Sequence, residues 1–444
     1  MSPAVPERAL RELGRTEGGP ETLGLLVRDQ HTRRLVMLRA LLDAAQAAPA
    51  AVCPPGLLHR MHDDWALLEA AERRDRAAVR SLLLHPLTGP WVQRCLYGLT
   101  APESTPQLRA DLAHFGALAA AGAIRAGLSF SARLTPVGGE LALPTLGSLR
   151  TDSTGPVDIA FTEDELTLRQ NDPRWQPVYT LPAVLPGSGP VPLDDLHPYR
   201  AVGGGPQRHG LSAAAVLDDS ERKAWSEAWC GMEPLLRIGG EHRVAEATAL
   251  LRCLVPLAPP PGSGPTGESA SHCSGTRREA FGAVLSSRPS TPAHFAATLV
   301  HELQHTKLAA LGALAPLHHE DATPRHFAPW RSDPRPFDGL LQGAYSHIAL
   351  ADYWQRFALG AENTAHRDLA WAEHARCREQ VGAVLPVLAG SGELTREGRT
   401  VVNEMIALYH HLADRPPPSG HLARAAAYVD TARVIWCQRN GTQR

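Results

Sequence analysis

Lysine is nearly absent from this 444-residue chain: of 44 basic residues, Lys223 and Lys307 are the two that are not arginine. With heavy use of Ala, Gly, Pro and Arg, this points to a GC-rich bacterial genome before it points to any activity. An excess of one charge is also missing. The 44 basic and 46 acidic residues leave a net charge of -2, which lacks the basic footprint that binding a phosphate backbone needs and disfavours nucleic acid as a partner. The seven cysteines (Cys53, Cys95, Cys230, Cys253, Cys273, Cys377 and Cys437) are odd in number, scattered and never in a CxxC pair. That fits a reducing compartment better than a disulfide framework, and reads as small buried hydrophobes. No window approaches eighteen apolar residues in a row, and the opening MSPAVPERALRELGRTEGGP has no basic stretch followed by an apolar run. The expectation is a cytoplasmic chain with no membrane partner. What is present, 43% hydrophobic and 20% charged residues, is ordinary for a globular protein, and the length implies two or three domains or one multilayered unit.

Hydrophobic periodicity divides the chain. Leu25, Leu26, Leu35, Leu38, Leu41 and Leu42 recur at helical spacing over 22–46, and a second helical run covers 57–84. Between about 127 and 198 short β-forming runs (LSFSARL, ELALPTL, VDIAF, PVYTLPAVL) alternate with Gly, Pro, Asp and Asn. Helical spacing returns over 212–254 around Trp225 and Trp229, and PLAPPPGSGPTG at 256–267 stops it. A strand is expected at 279–287, then a helix to about 311 whose start is marked by Ser290-Thr291-Pro292, a helix over 338–358, and further helices at 364–389, 396–412 and 421–438. The GGG at 203–205 reads as a flexible turn. The predicted class is α+β, predominantly helical: a helical N-terminal region (1–126), a mixed region with a possible peptide-binding surface (127–255) and a zincin-like, mostly helical metal-binding region (268–444).

The informative stretch is His301-Glu302-Leu303-Gln304-His305, an HExxH motif. On a helix its two histidines lie one turn apart on one face and can converge on one metal, while Leu299 and Leu303 anchor the helix elsewhere. The bland alternative is a solvated helix face carrying two histidines. Two ligands leave a metal under-coordinated, so a third must come from downstream. His318, His319, Glu320, Asp321, His326, Asp333, His347 and Asp352 are candidates. His347 is preferred, because Leu340, Gly343, His347, Leu350 and Trp354 mark one face of a helix able to pack on the first. The metzincin HxxGxxH continuation is absent, and the second helix carries no NExxA-like glutamate. In a zinc peptidase Glu302 would be the general base toward a metal-activated water, whereas a three-ligand site with open positions equally suits ferrous iron. Spacing does not choose the metal. His59, His62, His410 and His411 read as solvated helix faces.

LVHELQHTKLAAL at 299–311 followed by FAPWRSDPRPFDGLLQGAYSHIALADYW at 327–354 resembles the bacterial HExxH-motif proteins associated with modification of ribosomally made peptides. That family is understood as Fe(II)- and 2-oxoglutarate-dependent peptide β-hydroxylases. The resemblance is tightest over about 279–357 and weaker in LALPTLG at 141–147 and LDDLHPYRAV at 193–202. It implies His301, His305 and His347 as iron ligands and a precursor peptide as substrate, in company with other peptide-modifying enzymes, with succinate and carbon dioxide released. A 2-oxoglutarate cosubstrate then needs a cation for its distal carboxylate, and Arg331 and Arg335 in WRSDPRP offer the fork that matches it, unless they simply pair with Asp333 or Asp338. Under this reading Glu302 orients a ligand or contacts substrate. Two rivals stand beside it: a Zn(II)-dependent peptidase for which Glu302 is indispensable, and a non-catalytic peptide-binding protein with a structural metal clamp.

Overall fold

The computed structural model describes residues 5–152, 155–162, 165–166, 174–201, 211–260 and 272–441. The glycine turn at 203–205 and residues 261–267 of the proline-rich break lie outside them. The protein is α+β and mostly helical, as its periodicity implies. Helices α1 (Glu7–Gly14), α2 (Pro20–Ala47), α3 (Pro55–Arg74), α4 (Arg76–Leu83), α5 (Thr88–Leu99) and α6 (Pro106–Arg125) come first. The run expected as one helix over 57–84 breaks at Asp75, whose carboxylate accepts from the Ala78 amide and caps α4. Strands β1 (Phe130–Leu134), β2 (Glu140–Leu143), β3 (Gly147–Arg150), β4 (Val157–Thr162), β5 (Glu165–Leu166), β6 (Trp175–Pro177), β7 (Tyr179–Leu181) and β8 (Val191–Leu193) follow. The helical stretch expected over 212–254 is three helices, α7 (Asp219–Cys230), α8 (Glu233–Ile238) and α9 (Glu241–Leu250), and its end is a strand, β9 (Cys253–Leu257). An unbroken apolar run of five residues fits a doubly covered strand as well as a helix, and all five are buried. Then come β10 (Ser274–Gly275), β11 (Ala283–Ser287), α10 (Pro292–Leu314), α11 (Phe337–Gly360), α12 (Thr364–Gly382), α13 (Leu385–Gly390), α14 (Arg396–His411) and α15 (Ser419–Asn440).

Two small antiparallel sheets, ordered β1-β4-β5 and β2-β3-β6, sit beside the N-terminal helices and share their core, where Phe115, Leu118, Leu141 and Ile159 are buried together. The five-stranded sheet, ordered β10-β11-β9-β8-β7, is parallel at its centre and takes strands from either side of the 256–267 segment. A larger core joins that sheet to α10 and α11 through Trp225, Trp229 and Phe295. Burying each such side chain contributes about 1.5–3 kcal/mol. The same core reaches back to Leu13 and Leu26, so α1 and α2 help to support the motif helix.

One lysine explains that support. Lys307, on α10 and fully buried, donates to the Thr16 carbonyl at 2.8 Å and to Glu246 Oε1 at 2.6 Å. Arg243 joins the group through the Thr16 carbonyl, Glu246 and Asp352. Burial lowers the Lys307 pKa to about 8 against the pull of Glu246; for Glu246 burial works upward, but Lys307 and Arg243 outweigh it and hold the carboxyl below its ordinary value. Paired and hydrogen-bonded in this way, buried charges tie α1, α9, α10 and α11 into one arrangement.

Candidate metal centre

α10 opens on Thr291, whose hydroxyl accepts from the His294 amide, with Pro292 in the first turn, as the sequence signal implies. Leu299 and Leu303 are buried, and that fixes which way the opposite face points. On it, the Nε2 atoms of His301 and His305 lie 3.1 Å apart with their rings 81° from coplanar. His347, one helix away on α11, sets its ring 5.4 Å from that of His301, centroid to centroid.

The partners of two of these rings, His305 and His347, decide their tautomers. His305 Nδ1 faces the Gln342 side-chain oxygen at 3.2 Å, and His347 Nδ1 faces the Gly343 carbonyl at 2.8 Å. Both oxygens are acceptors, so both Nδ1 atoms carry the proton and both Nε2 atoms keep a lone pair. Burial, then the proximity of the other imidazoles, holds His301 far below its ordinary pKa; burial likewise lowers His305 and takes His347 to about 3. Neutral imidazoles with free Nε2 lone pairs are the form that binds a metal. Trp330 stacks on His347 at 4.5 Å and 20°, and Gly343 makes that possible: a Cβ there would stand 2.3 Å from the indole.

Glu302 stands beside the histidine pair, its Oε1 4.0 Å from His301 Nε2. Ser274 of β10 donates to its Oε1 at 2.7 Å, and its Oε2 is buried without a partner. Burial raises its pKa to about 7, against the opposing pull of nearby Ser274 and Thr276. All these residues border a cavity of about 780 Å³ that is also lined by Arg331, Arg335 and Arg376. A neighbouring cavity of about 740 Å³ shares Arg278, Asp338 and Gln342 with it.

The residues singled out from sequence are therefore placed unequally. His301 and His305 are brought together, and His347 stands beside them, but the ligand atoms of the three do not all fall within 4.8 Å of one another. Among the described residues one group of three does, His85, Asp194 and Cys253. Arg331 and Arg335 line the cavity while both bond to Asp333, at 3.0 and 3.4 Å. Several of the other downstream candidates are engaged elsewhere: His318 with Asp338, Glu320 and Asp321 with Arg325, and Asp352 with Arg243 and Arg356. An Asn403-Glu404-Met405-Ile406-Ala407 sequence does occur, but on α14, where Glu404 pairs with Arg15 rather than with the histidines. Two contributors were missed from sequence. Ser274 holds Glu302 from a two-residue strand with no periodic signal, and Arg376, on α12, places a charge felt at both His301 and His347. No helix is long and apolar enough to cross a membrane, among the described residues. No family model matches the chain, and no curated protein matches it.

Proposed function

We propose that the chain is an Fe(II)- and 2-oxoglutarate-dependent oxygenase that hydroxylates the β-carbon of side chains in a ribosomally synthesised precursor peptide, with the α10–α11 pair as a zincin-like metal-holding unit. The observation that carries this reading is the His301–His305 pair, two buried neutral imidazoles with their Nε2 atoms 3.1 Å apart in an arginine-lined cavity. Three features of the donor set fit a divalent metal. The lone pairs of the His305 and His347 Nε2 atoms are set by Gln342 and Gly343, the imidazoles are held neutral, and His347 lies next to the pair as a third donor. When bound, iron with 2-oxoglutarate and dioxygen supplies the oxidant that abstracts hydrogen from an unactivated carbon, and succinate and carbon dioxide leave.

The chain's own residues then have defined tasks. Gln342 and the Gly343 carbonyl orient two imidazoles, and Trp330 stacked on His347 limits its rotation and keeps water from that side. Arg376, held by Glu373 through Nε and Nη2, is the cation set toward the histidines and offers its remaining edge to the cosubstrate's distal carboxylate; Arg331 and Arg335, joined through Asp333, form a basic rim for the peptide. The two adjoining cavities offer room for an extended peptide beside the metal-binding face. A cytoplasmic setting, with iron kept reduced, suits the scheme.

One observation favours a second reading, a Zn(II)-dependent peptidase. Glu302 Oε2 has no partner, and a carboxyl with a pKa of about 7 is poised to take a proton from water. The deciding experiment is anaerobic reconstitution with Fe(II), a metal assay, and an optical titration with 2-oxoglutarate. A visible charge-transfer band that disappears in His301→Ala and His305→Ala, and that needs several-fold more 2-oxoglutarate in Arg376→Ala, is expected. Retained zinc and no response to 2-oxoglutarate would overturn the hydroxylase. Peptide cleavage abolished by Glu302→Gln would then establish the peptidase, and its absence the metal-clamped binding protein.

A further inference from the structure

A second cluster of ligand-type side chains lies well away from the HExxH helix in sequence. His85 sits in the turn between α4 and α5, Asp194 directly follows β8, and Cys253 opens β9. The pairing of β8 with β9 brings the last two together: Leu193 is opposite Leu254, and the Asp194 amide donates to the Leu254 carbonyl at 2.8 Å. The His85 turn is held against them by Arg34, which donates to the His85 carbonyl at 2.7 Å and also reaches the Glu279 carbonyl. The three residues are 6%, 1% and 0% exposed, and their ligand atoms all lie within 4.8 Å of one another.

Their hydrogen-bonding is incomplete in a way that buried groups rarely tolerate. Neither ring nitrogen of His85 has a partner. Asp194 Oδ1 accepts from the Leu196 and His197 amides, but its Oδ2 has none and faces His85 Nε2 at 3.9 Å, too far for a hydrogen bond. Cys253 Sγ makes one weak contact, to the Leu254 carbonyl at 3.5 Å. Two orphaned ligand atoms, of nitrogen and oxygen type, therefore converge with a weakly bonded thiol where no protein group satisfies them.

We infer that His85, Asp194 and Cys253 bind a borderline-soft divalent cation of the zinc class, which braces the N-terminal helical region against the centre of the five-stranded sheet. The donor set is a zinc one: imidazole and carboxylate ligands lie about 2.0–2.2 Å from such an ion and thiolate about 2.3 Å. Tetrahedral ligands at those lengths stand roughly 3.3–3.8 Å apart, so the 3.9 Å His85–Asp194 gap closes with a shift of about half an ångström. Binding displaces the Cys253 proton to solvent, and thiolate plus carboxylate neutralise the two positive charges. This balance matters beside the buried Arg34 cation. Three protein ligands leave the fourth corner of the tetrahedron to a trapped water. The role is structural. Burial separates the ion from the open cavity at His301, and the link to that site is indirect, through β11 and β10, whose Ser274 holds Glu302.

The inference does not depend on the function of the HExxH site. The test is reconstitution with Co(II) under reducing conditions, after unfolding in chelator and refolding in its absence. Sulfur-to-metal charge transfer in the near ultraviolet is expected in the wild type and in the His301→Ala/His305→Ala variant, and its loss in Cys253→Ser. Because Cys253→Ser sits in a core strand, a second measurement stands without it. The His301→Ala/His305→Ala protein, purified with zinc, is expected to retain one ion per chain through dialysis. An ion count of zero in that variant, or the absence of the near-ultraviolet band from both proteins that keep Cys253, overturns the site.

Discussion

Gly343→Ala is the sharpest test of how the candidate centre is built. A methyl group at this position would stand 2.3, 2.5 and 2.7 Å from Cζ2, Cε2 and Nε1 of Trp330, where ordinary contact needs about 3.5–4.0 Å. The indole must therefore retreat by more than about 1 Å, since α11 cannot: its Leu340, Leu341 and Ala344 are fully buried and the Gly343 carbonyl accepts from His347. Overpacking of this kind costs about 1–3 kcal/mol, against which the helix gains about 1 kcal/mol on exchanging glycine for alanine. In a Trp330→Ala background the clash vanishes and only the gain remains, so the same substitution changes from destabilising or neutral to stabilising. Urea unfolding of the four proteins measures the coupling, expected at about 1–3 kcal/mol. Metal titration of the same four should show weaker binding wherever His347 has lost its stacked indole. Equal effects of Gly343→Ala in both backgrounds would refute the packing argument.

Three further outcomes follow from buried groups. Lys307→Met leaves Glu246 with Arg243 as its remaining cation and its Oε1 without the lysine, and a loss of about 1.5–3 kcal/mol is expected in denaturant unfolding. Asp64 is pushed up to about 7, first by burial and then by Asp63. Its folded pKa exceeds the unfolded value of 3.8, so the stability it contributes is complete below pH 3.8 and is lost as pH rises through 7. Asp64→Asn should then match the wild type near pH 4 and exceed it at pH 8 by roughly 2–4 kcal/mol, the upper figure being the full shift and the lower allowing for the partial exposure of Asp64, and a pH-independent difference would contradict this. At Gly89 an added Cβ would lie 1.9 Å from the Glu279 carbonyl, so Gly89→Ala should lower the midpoint of thermal unfolding sharply by prising α5 from the turn before β11.

Local chemistry carried a definite share of this protein into view. The 3.6-residue helical repeat alone puts His301 and His305 on one face and Glu302 on another, and Thr291-Pro292 alone marks where that helix begins. The mostly helical α+β character likewise follows from periodicity and turn residues. Other features depend on contacts between residues far apart in the chain, which spacing does not encode. The end of the 212–254 run is a strand because β11 and β8 pair with its two edges, and the break at Asp75 rests on one capping hydrogen bond that competes with a continuous helix. Arg331 and Arg335 look like free forks in WRSDPRP, yet folding gives them a shared carboxylate in Asp333 and brings Arg376 toward the histidines from another helix. His85, Asp194 and Cys253 share no motif at all. Sequence fixes which side chains exist and the faces they take on a single element; strand register and helix packing decide which of those faces meet, because burial energy is gained between elements rather than along them.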